Sequence, residues 1–189
     1  MQAWGVGRAT GYLIGACFPC ITSLTLHSVN LKDGTLFSGL LRSRVPVSCL
    51  KLISCFTNEA IDPASAAALQ ALPVTELYIQ GGAGVLAALA SGLTQLTRAA
   101  LTASDLTTTQ IMQYAGNMTQ LQHLTAGGLG PCEPSALQQA MHACSQLTSL
   151  TLTCSLNQQG LDVLLSHAGH LASVSFQYQH QQHPACGRS

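Results

Sequence analysis

Leu147-Thr148-Ser149-Leu150-Thr151-Leu152 spells L-x-x-L-x-L, and the same phrase, loosely kept, begins at Ile21, Val47, Val74, Leu96, Leu121, Leu147 and Leu171. Its middle apolar residue falls at Leu24, Leu50, Leu77, Ala99, Leu124, Leu150 and Val174, so successive steps are 26, 27, 22, 25, 26 and 24 residues. Side chains alternate along an extended chain, so the leucines of each phrase point one way and the intervening positions the other. The stretch after each phrase has the composition of a helix. Strand, turn, helix, turn, repeated in one hand, gives a parallel sheet with helices on its other side. A single unit of this kind cannot bury its own apolar face and must stack on its neighbours.

The helical stretches are marked by their starts and stops. Asp62 is placed to cap a helix that Pro63 begins and Pro73 stops, with Ala and Leu filling Pro63 to Leu72. Glu133-Pro134-Ser135 opens a second, in which Leu137, Met141 and Cys144 fall at helical spacing. Asn157 is positioned to cap a third, with Leu161, Leu164 and Leu165 on one face and Gly169 near its end. Leu36 to Arg44, Gly84 to Leu93 and Leu106 to Ala115 fit the same slot. Neighbouring strands lie about 4.8 Å apart whereas helices need about 10 Å, so the stack is expected to curve with the strands inside.

The period and the phrase together resemble leucine-rich repeats. That resemblance implies an α/β fold, a leucine-rich repeat solenoid forming a short arc of about seven strand–helix repeats, with a parallel sheet on the concave face. It covers residues 21–178, leaving residues 1–20 as an N-terminal segment and candidate cap, and residues 179–189 as a disordered Gln/His-rich tail. One segment is more telling. Cys144, Leu147, Leu150, Leu152 and Cys154 resemble the cysteine-containing repeats of F-box-type substrate receptors, C-x-x-L-x-x-L-x-L-x-x-C, with the second cysteine one position early. Leu50-Lys51-Leu52-Ile53-Ser54-Cys55 keeps the later spacing, and Asn157 to Leu161 is similar to the loop that starts the family's helix. Val29, Gly82, Ser104 and Leu129 stand where Asn or Cys is expected, and nothing in the first 20 residues resembles an F-box.

Composition narrows the function. Seven Lys plus Arg balance seven Asp plus Glu, so no basic stripe exists to neutralise phosphates, and nucleic acid is not an expected partner. Charged residues make up 7% of the chain against roughly 25% in an average domain, so Ser, Thr, Gln and Gly must cover the surface. No run of about 18 apolar residues occurs, so no membrane span is expected. The first 20 residues lack the positive end and long apolar middle of a signal peptide. The eight cysteines are scattered through a leucine-rich chain, unlike a small disulfide scaffold. Reduced thiols and a cytoplasmic location are the expectation.

The positions between the leucines form two ladders across the sheet. The first is Ser23, Cys49, Glu76, Arg98, His123, Ser149, Ser173, and the second is Thr25, Lys51, Tyr78, Ala100, Thr125, Thr151, Ser175. Lys51, Glu76, Tyr78 and Arg98 thus fall side by side in the middle repeats, His123 extends the row, and Gln80 lies at the strand exit. Tyr and Arg are over-represented among residues that carry binding energy. These six are the candidate partner-binding residues. The plain alternative is an exposed Glu76–Arg98 pair worth a few tenths of a kcal/mol.

Catalytic and metal chemistry find little support. Cys17-Phe18-Pro19-Cys20 resembles a redox C-x-x-C, but that chemistry needs the first Cys at a helix N-terminus, and this motif runs into a strand phrase. A zinc site joining Cys17 and Cys20 to His180, His183 and Cys186 would have to bridge the first and last repeats, the two farthest apart. His167 and His170 suit helix capping as well as a ligand pair. No G-x-S-x-G or G-x-x-x-x-G-K-[ST] occurs; Gly81, Gly82 and Gly84 ease the turn out of the third strand. Cys55, Cys144 and Cys154 read as small apolar core residues. The sequence thus points to a non-enzymatic module, without cofactor or metal, that binds a protein partner through the concave face. The alternatives are the substrate-recognition part of an F-box-like ubiquitin ligase complex, partnered with its adaptor, and a structural component of a cytoskeletal or ciliary assembly.

Overall fold

The computed structural model of the chain describes residues 7–31, 35–55, 63–81, 85–86 and 93–176. In chain order these form α1 (Arg8–Cys17), β1 (Ser23–His27), α2 (Thr35–Arg42), β2 (Cys49–Ile53), α3 (Pro63–Ala71), β3 (Glu76–Gln80) and β4 (Arg98–Thr107). There follow α4 (Thr108–Ala115), β5 (His123–Leu129), α5 (Pro134–Ala143), β6 (Ser149–Leu152), α6 (Gln158–Ser166) and β7 (Ser173–Phe176). The seven strands make one parallel sheet in chain order, β1 to β7. A parallel sheet alternating with helices in this order is compatible with a solenoid-like arc.

Alternation of side chains fixes which sheet face is buried. Leu24, Leu50, Leu77, Ala99, Leu124 and Leu150 are register partners and all are buried, as are Leu26, Leu52, Ile79, Leu101, Ala126 and Leu152. The helices cover this face with Leu36, Phe37, Leu40, Leu69, Ile111, Met112, Leu137 and Met141. The opposite face of the sheet is open. Both ladders read from the sequence are register rows of this open face, from Ser23–Cys49–Glu76–Arg98–His123 onward and from Thr25–Lys51–Tyr78–Ala100–Thr125 onward.

The scarcity of charge has a structural counterpart at the strand entries. The carbonyl of Thr22 accepts from the backbone N–H groups of Ser48 and Cys49, and the Ser48 hydroxyl donates to it as well, at 3.3 Å. The same three-donor pattern recurs one repeat on, with Ser48 accepting from Thr75 and Glu76, Thr75 from Thr97 and Arg98, and Gln122 from Thr148 and Ser149. Ser and Thr at this position therefore join neighbouring repeats without any charge, each hydroxyl contributing about 1 kcal/mol or less. Ser28, Ser54 and Gly81, each just past its strand, share a left-handed backbone with φ of 53°, 52° and 96°. Their N–H groups donate to Ile53, Gln80 and Thr102, so the left-handed turn also carries an inter-repeat bond. Gly81 makes this turn without strain; Gly82 and Gly84 lie outside the described residues.

Several expected boundaries move. The helix expected over Leu106 to Ala115 begins only at Thr108, because β4 runs on to Thr107. Thr107 is the N-cap: its Oγ1 accepts from the Gln110 N–H at 3.2 Å, and Gln110 Oε1 accepts from the Thr107 N–H at 2.9 Å. The helix expected to reach Arg44 ends at Arg42, and Arg44 turns left-handed at φ 54°. The last strand, expected over Leu171 to Tyr178, is Ser173–Phe176 among the described residues. Of the three leucines read as sharing one face of α6, only Leu164 is buried, and Leu165 is 71% exposed. Asn157 does cap α6, accepting from the Gly160 N–H at 2.9 Å, whereas Glu133 makes no side-chain cap on α5, which Pro134 begins. Asp62 and most of Gly84 to Leu93 lie outside the described residues, as do residues 177–189 with His180, His183 and Cys186.

Within residues 1–20 the structure places a helix the sequence reading did not anticipate. Gly7, Gly11 and Gly15 recur every four residues, so they share one helix face. Gly11 and Gly15 are buried against α2, with Gly39 opposite Gly11 and Ser43 opposite Gly15. The two helices meet backbone to backbone. The Arg8 N–H donates to Thr35 Oγ1 at 3.1 Å, and the Arg42 guanidinium to the Tyr12 hydroxyl at 3.2 Å. Leu13 and Phe18 point outward, 64% and 60% exposed.

The interior thiols are held neutral. Cys55, Cys132, Cys144 and Cys154 are buried. Cys55 donates to the Leu26 carbonyl and Cys144 to that of Ala115, both at 3.3 Å. Burial pushes the Cys132 thiol up from 9.0 to about 12, with the neighbouring Cys154 and Glu133 adding to the rise, and pushes Cys144 up to about 11. Cys55 and Cys154 are raised in the same direction and for the same cause. Such groups are poor nucleophiles at neutral pH. They also predict an alkaline instability. Above pH about 9 the unfolded chain loses thiol protons that the folded chain keeps, so stability is intact below that pH and falls as pH rises toward 11–12. The thermal midpoint should drop between pH 9 and 11 and drop less in Cys132→Ala. An identical slope in that variant would show that the Cys132 thiol is not responsible.

Candidate functional site

The open face brings the six candidate residues onto three adjacent strands and one beyond. β2 supplies Lys51, β3 supplies Glu76, Tyr78 and Gln80, β4 supplies Arg98 and β5 supplies His123. Glu76, Arg98 and His123 are register neighbours at the strand entries, and Lys51 pairs with Tyr78 two residues further along. Gln80 ends β3 and pairs with Ile53 and Thr102. Arg98 and Gln80 are exposed, whereas Lys51, Glu76, Tyr78 and His123 are half-buried.

Their contacts separate the group into two halves. The Lys51 ammonium lies over the Tyr78 ring, 4.9 Å from its centroid, a cation–π contact worth about 0.5–1 kcal/mol. The Tyr78 hydroxyl stands 3.5 Å from Glu76 Oε2, a long and weak hydrogen bond. Glu76 therefore turns along its own strand toward Tyr78. Glu76 and Arg98, whose exposed pairing was the plain alternative, are register partners but are not joined by an ion pair. Arg98 and His123 are left facing solvent at the strand entries.

Lys51, Tyr78 and Gln80 line a hollow of about 230 Å³ together with Ile53, Ile79, Ala100 and Thr102. A second hollow of about 310 Å³ adjoins it through Gln80 and Thr102, and continues over Ser54, Gly81, Ser104, Gly127, Gly128 and Leu129. The second exists because β4 carries extra residues. The β4–β5 register runs from Thr102–Gly127 to Thr107–Leu129, so five steps on β4 answer two on β5. Such a bulge bends the strand locally, and Gly127 and Gly128 on β5 make room for Thr153 and for the Leu106–Thr107 backbone. The ladder reading named neither Ile53, Ala100 nor Thr102 as part of a site. The signal was present at Ile53: an isoleucine at an outward position whose register neighbour Gln80 is polar marks an apolar wall.

The sites set aside on sequence grounds are placed as follows. Cys17 ends α1, so the helix N-terminus that would activate it lies at the far end of that helix, and both Cys17 and Cys20 are exposed. His167 follows α6, and its Nδ1 contacts the Val163 carbonyl at 3.0 Å, which caps that helix end. Among the described residues no cluster of three or more His, Cys, Asp or Glu is arranged to hold a metal ion. None of the described helices is long and apolar enough to cross a membrane. No protein-family model matches the chain, and no curated protein is significantly similar to it in sequence.

Proposed function

We propose that this chain is a non-enzymatic leucine-rich repeat module that binds a protein partner through the concave face of its sheet. One observation carries the reading. On a face whose other residues are mostly Ser and Thr, the register sets Lys51, Tyr78, Glu76, Arg98 and His123 side by side over four strands, next to two adjoining hollows. Large residues with a polar handle, gathered at the centre of a surface, are where binding energy concentrates. The test is a pull-down from native cell extract with the wild type and a Tyr78→Ala, Arg98→Glu double variant. A partner lost only with the variant supports the reading; every partner retained sinks it.

A permanent place in a large assembly is a second reading, and one feature favours it. Tyr12, Leu13 and Phe18 are exposed on and just after α1, apolar surface that a partner subunit would cover. An assembly subunit made alone should self-associate in sedimentation, and Leu13→Asp should reduce that. The ubiquitin-ligase reading rests on the cysteine-containing phrases around Leu50 and Leu150 and on the loop Asn157 to Leu161.

A further inference from the structure

We infer that the open face takes an extended peptide segment of its partner, with one large apolar side chain in the hollow beside Tyr78 and an acidic residue next to it meeting Lys51. This inference rests on the concave-face reading above. The first hollow, at about 230 Å³, is smaller than the roughly 300–1,000 Å³ of small-molecule sites, and matches a side chain better than a cofactor. Its outward apolar side chains are Ile53, Ala100 and the Tyr78 ring, which reward an apolar group. Lys51 stands at this hollow, half-buried and held over the ring. Among the described residues no carboxylate pairs with it, because Glu76 is turned to the Tyr78 hydroxyl. A partly desolvated ammonium that lacks a counter-charge favours an anionic group on the ligand.

The second hollow says how the segment continues. From β2 to β5 the strands span about 14 Å, the length of about four extended residues. Gly81, Thr102 and Ser104 border this stretch, and Leu129, 51% exposed, stands at its end as a second apolar contact. The side-chain amide of Gln80 and the hydroxyl of Ser104 lie along the path and can meet peptide carbonyls. The ligand is therefore acidic and apolar at the β2 end and apolar again near β5.

The test is selection from a bead-bound random-peptide library with the full chain, followed by titration of the selected peptides. Selected peptides should pair Asp or Glu with Phe, Tyr, Leu, Ile or Met. Their binding should fall about fivefold or more in Lys51→Gln and weaken between about 50 and about 500 mM NaCl. Ala100→Trp, which fills the hollow, should abolish it, with an unchanged circular dichroism spectrum confirming the fold. Binders without the acidic–apolar pair, binding intact in both variants, or no binder at all would overturn the inference. Should the library fail while the Tyr78→Ala, Arg98→Glu variant still loses a partner, only the peptide assignment falls. If that variant also keeps every partner, the concave-face reading falls with it.

Discussion

Replacing Gly128 by alanine is expected to lower the unfolding free energy by about 3 kcal/mol, the upper end of what overpacking costs. The reason is the β4 bulge. An added Cβ at Gly128 would stand 2.6 Å from the Leu106 carbonyl oxygen and 2.9 Å from both the Thr107 carbonyl carbon and Ile111 Cδ1. Ile111 can swing aside, but the two backbone atoms cannot move without displacing the bulge. Thr107 also caps α4, so the displacement would loosen that helix as well. For a chain of this size the loss corresponds to a fall of about 10 °C in the thermal midpoint. Gly130 gives the contrast. Nothing lies within 4 Å of a Cβ there, but its φ is +71°, so Gly130→Ala should cost only about 1 kcal/mol, from backbone strain. Thermal unfolding of the two variants followed by circular dichroism checks both. Equal midpoints would mean that the bulge does not press on β5.

Gly11→Leu should produce an effect of similar size but confined to one end of the molecule. A Cβ at Gly11 would meet the Leu36 carbonyl oxygen at 2.4 Å and Gly39 Cα at 2.9 Å, and one at Gly39 would meet the Arg8 carbonyl oxygen at 2.4 Å. The clash is reciprocal and entirely with backbone. Helices in such contact can separate but cannot adjust, so α1 should leave α2, uncovering a helix whose Leu36, Phe37 and Leu40 are fully buried in the native fold. In a stacked architecture each unit leans mainly on its neighbours, so β5 to β7 should be little affected. Hydrogen exchange should show protection lost over Arg8–Cys17 and Thr35–Arg42 and kept over Ser149–Leu152. Leu13→Ala, a neighbouring change on the outward side of α1, should leave protection unchanged. Uniform loss across the chain in Gly11→Leu, or none, would contradict this account of the α1–α2 contact.

What the sequence disclosed and what it hid follow from the range of the forces involved. The ladders were legible residue by residue because a strand has a period of two and one face is buried, so a slip of one residue would expose every leucine. The Asn157 cap was legible because its bond spans only three residues. The α1 helix was hidden because glycine argues against a helix by local propensity. Here Gly11 and Gly15 owe their place to α2, some 28 residues away, and no local rule reports that. Gly127 and Gly128 are explained in the same way, by Thr153 in the next repeat and by the β4 bulge. The bulge itself was missed because Leu106 reads equally well as the first apolar residue of a helix over Leu106 to Ala115. The candidate site was half legible. Residue types and ladder positions gave Lys51, Tyr78 and Gln80, but an apolar wall at Ile53 and Ala100 emerges only when three strands are laid side by side. The Glu76–Arg98 pair, the plain alternative, followed from adjacency in register, and adjacency alone does not set side-chain direction.

The central claim is that recognition takes place on the open face of the sheet and not on the helices. It is tested most directly by placing a photo-crosslinking amino acid at Gln80, on the open face, and separately at Gln139, exposed on α5. Each variant is then irradiated in native extract, and the adducts are compared by mass spectrometry. The account predicts that the Gln80 position captures a partner that the Gln139 position does not, and that Lys51→Gln reduces that adduct. Capture of the same partner from Gln139 alone would contradict it and move recognition to the helical side.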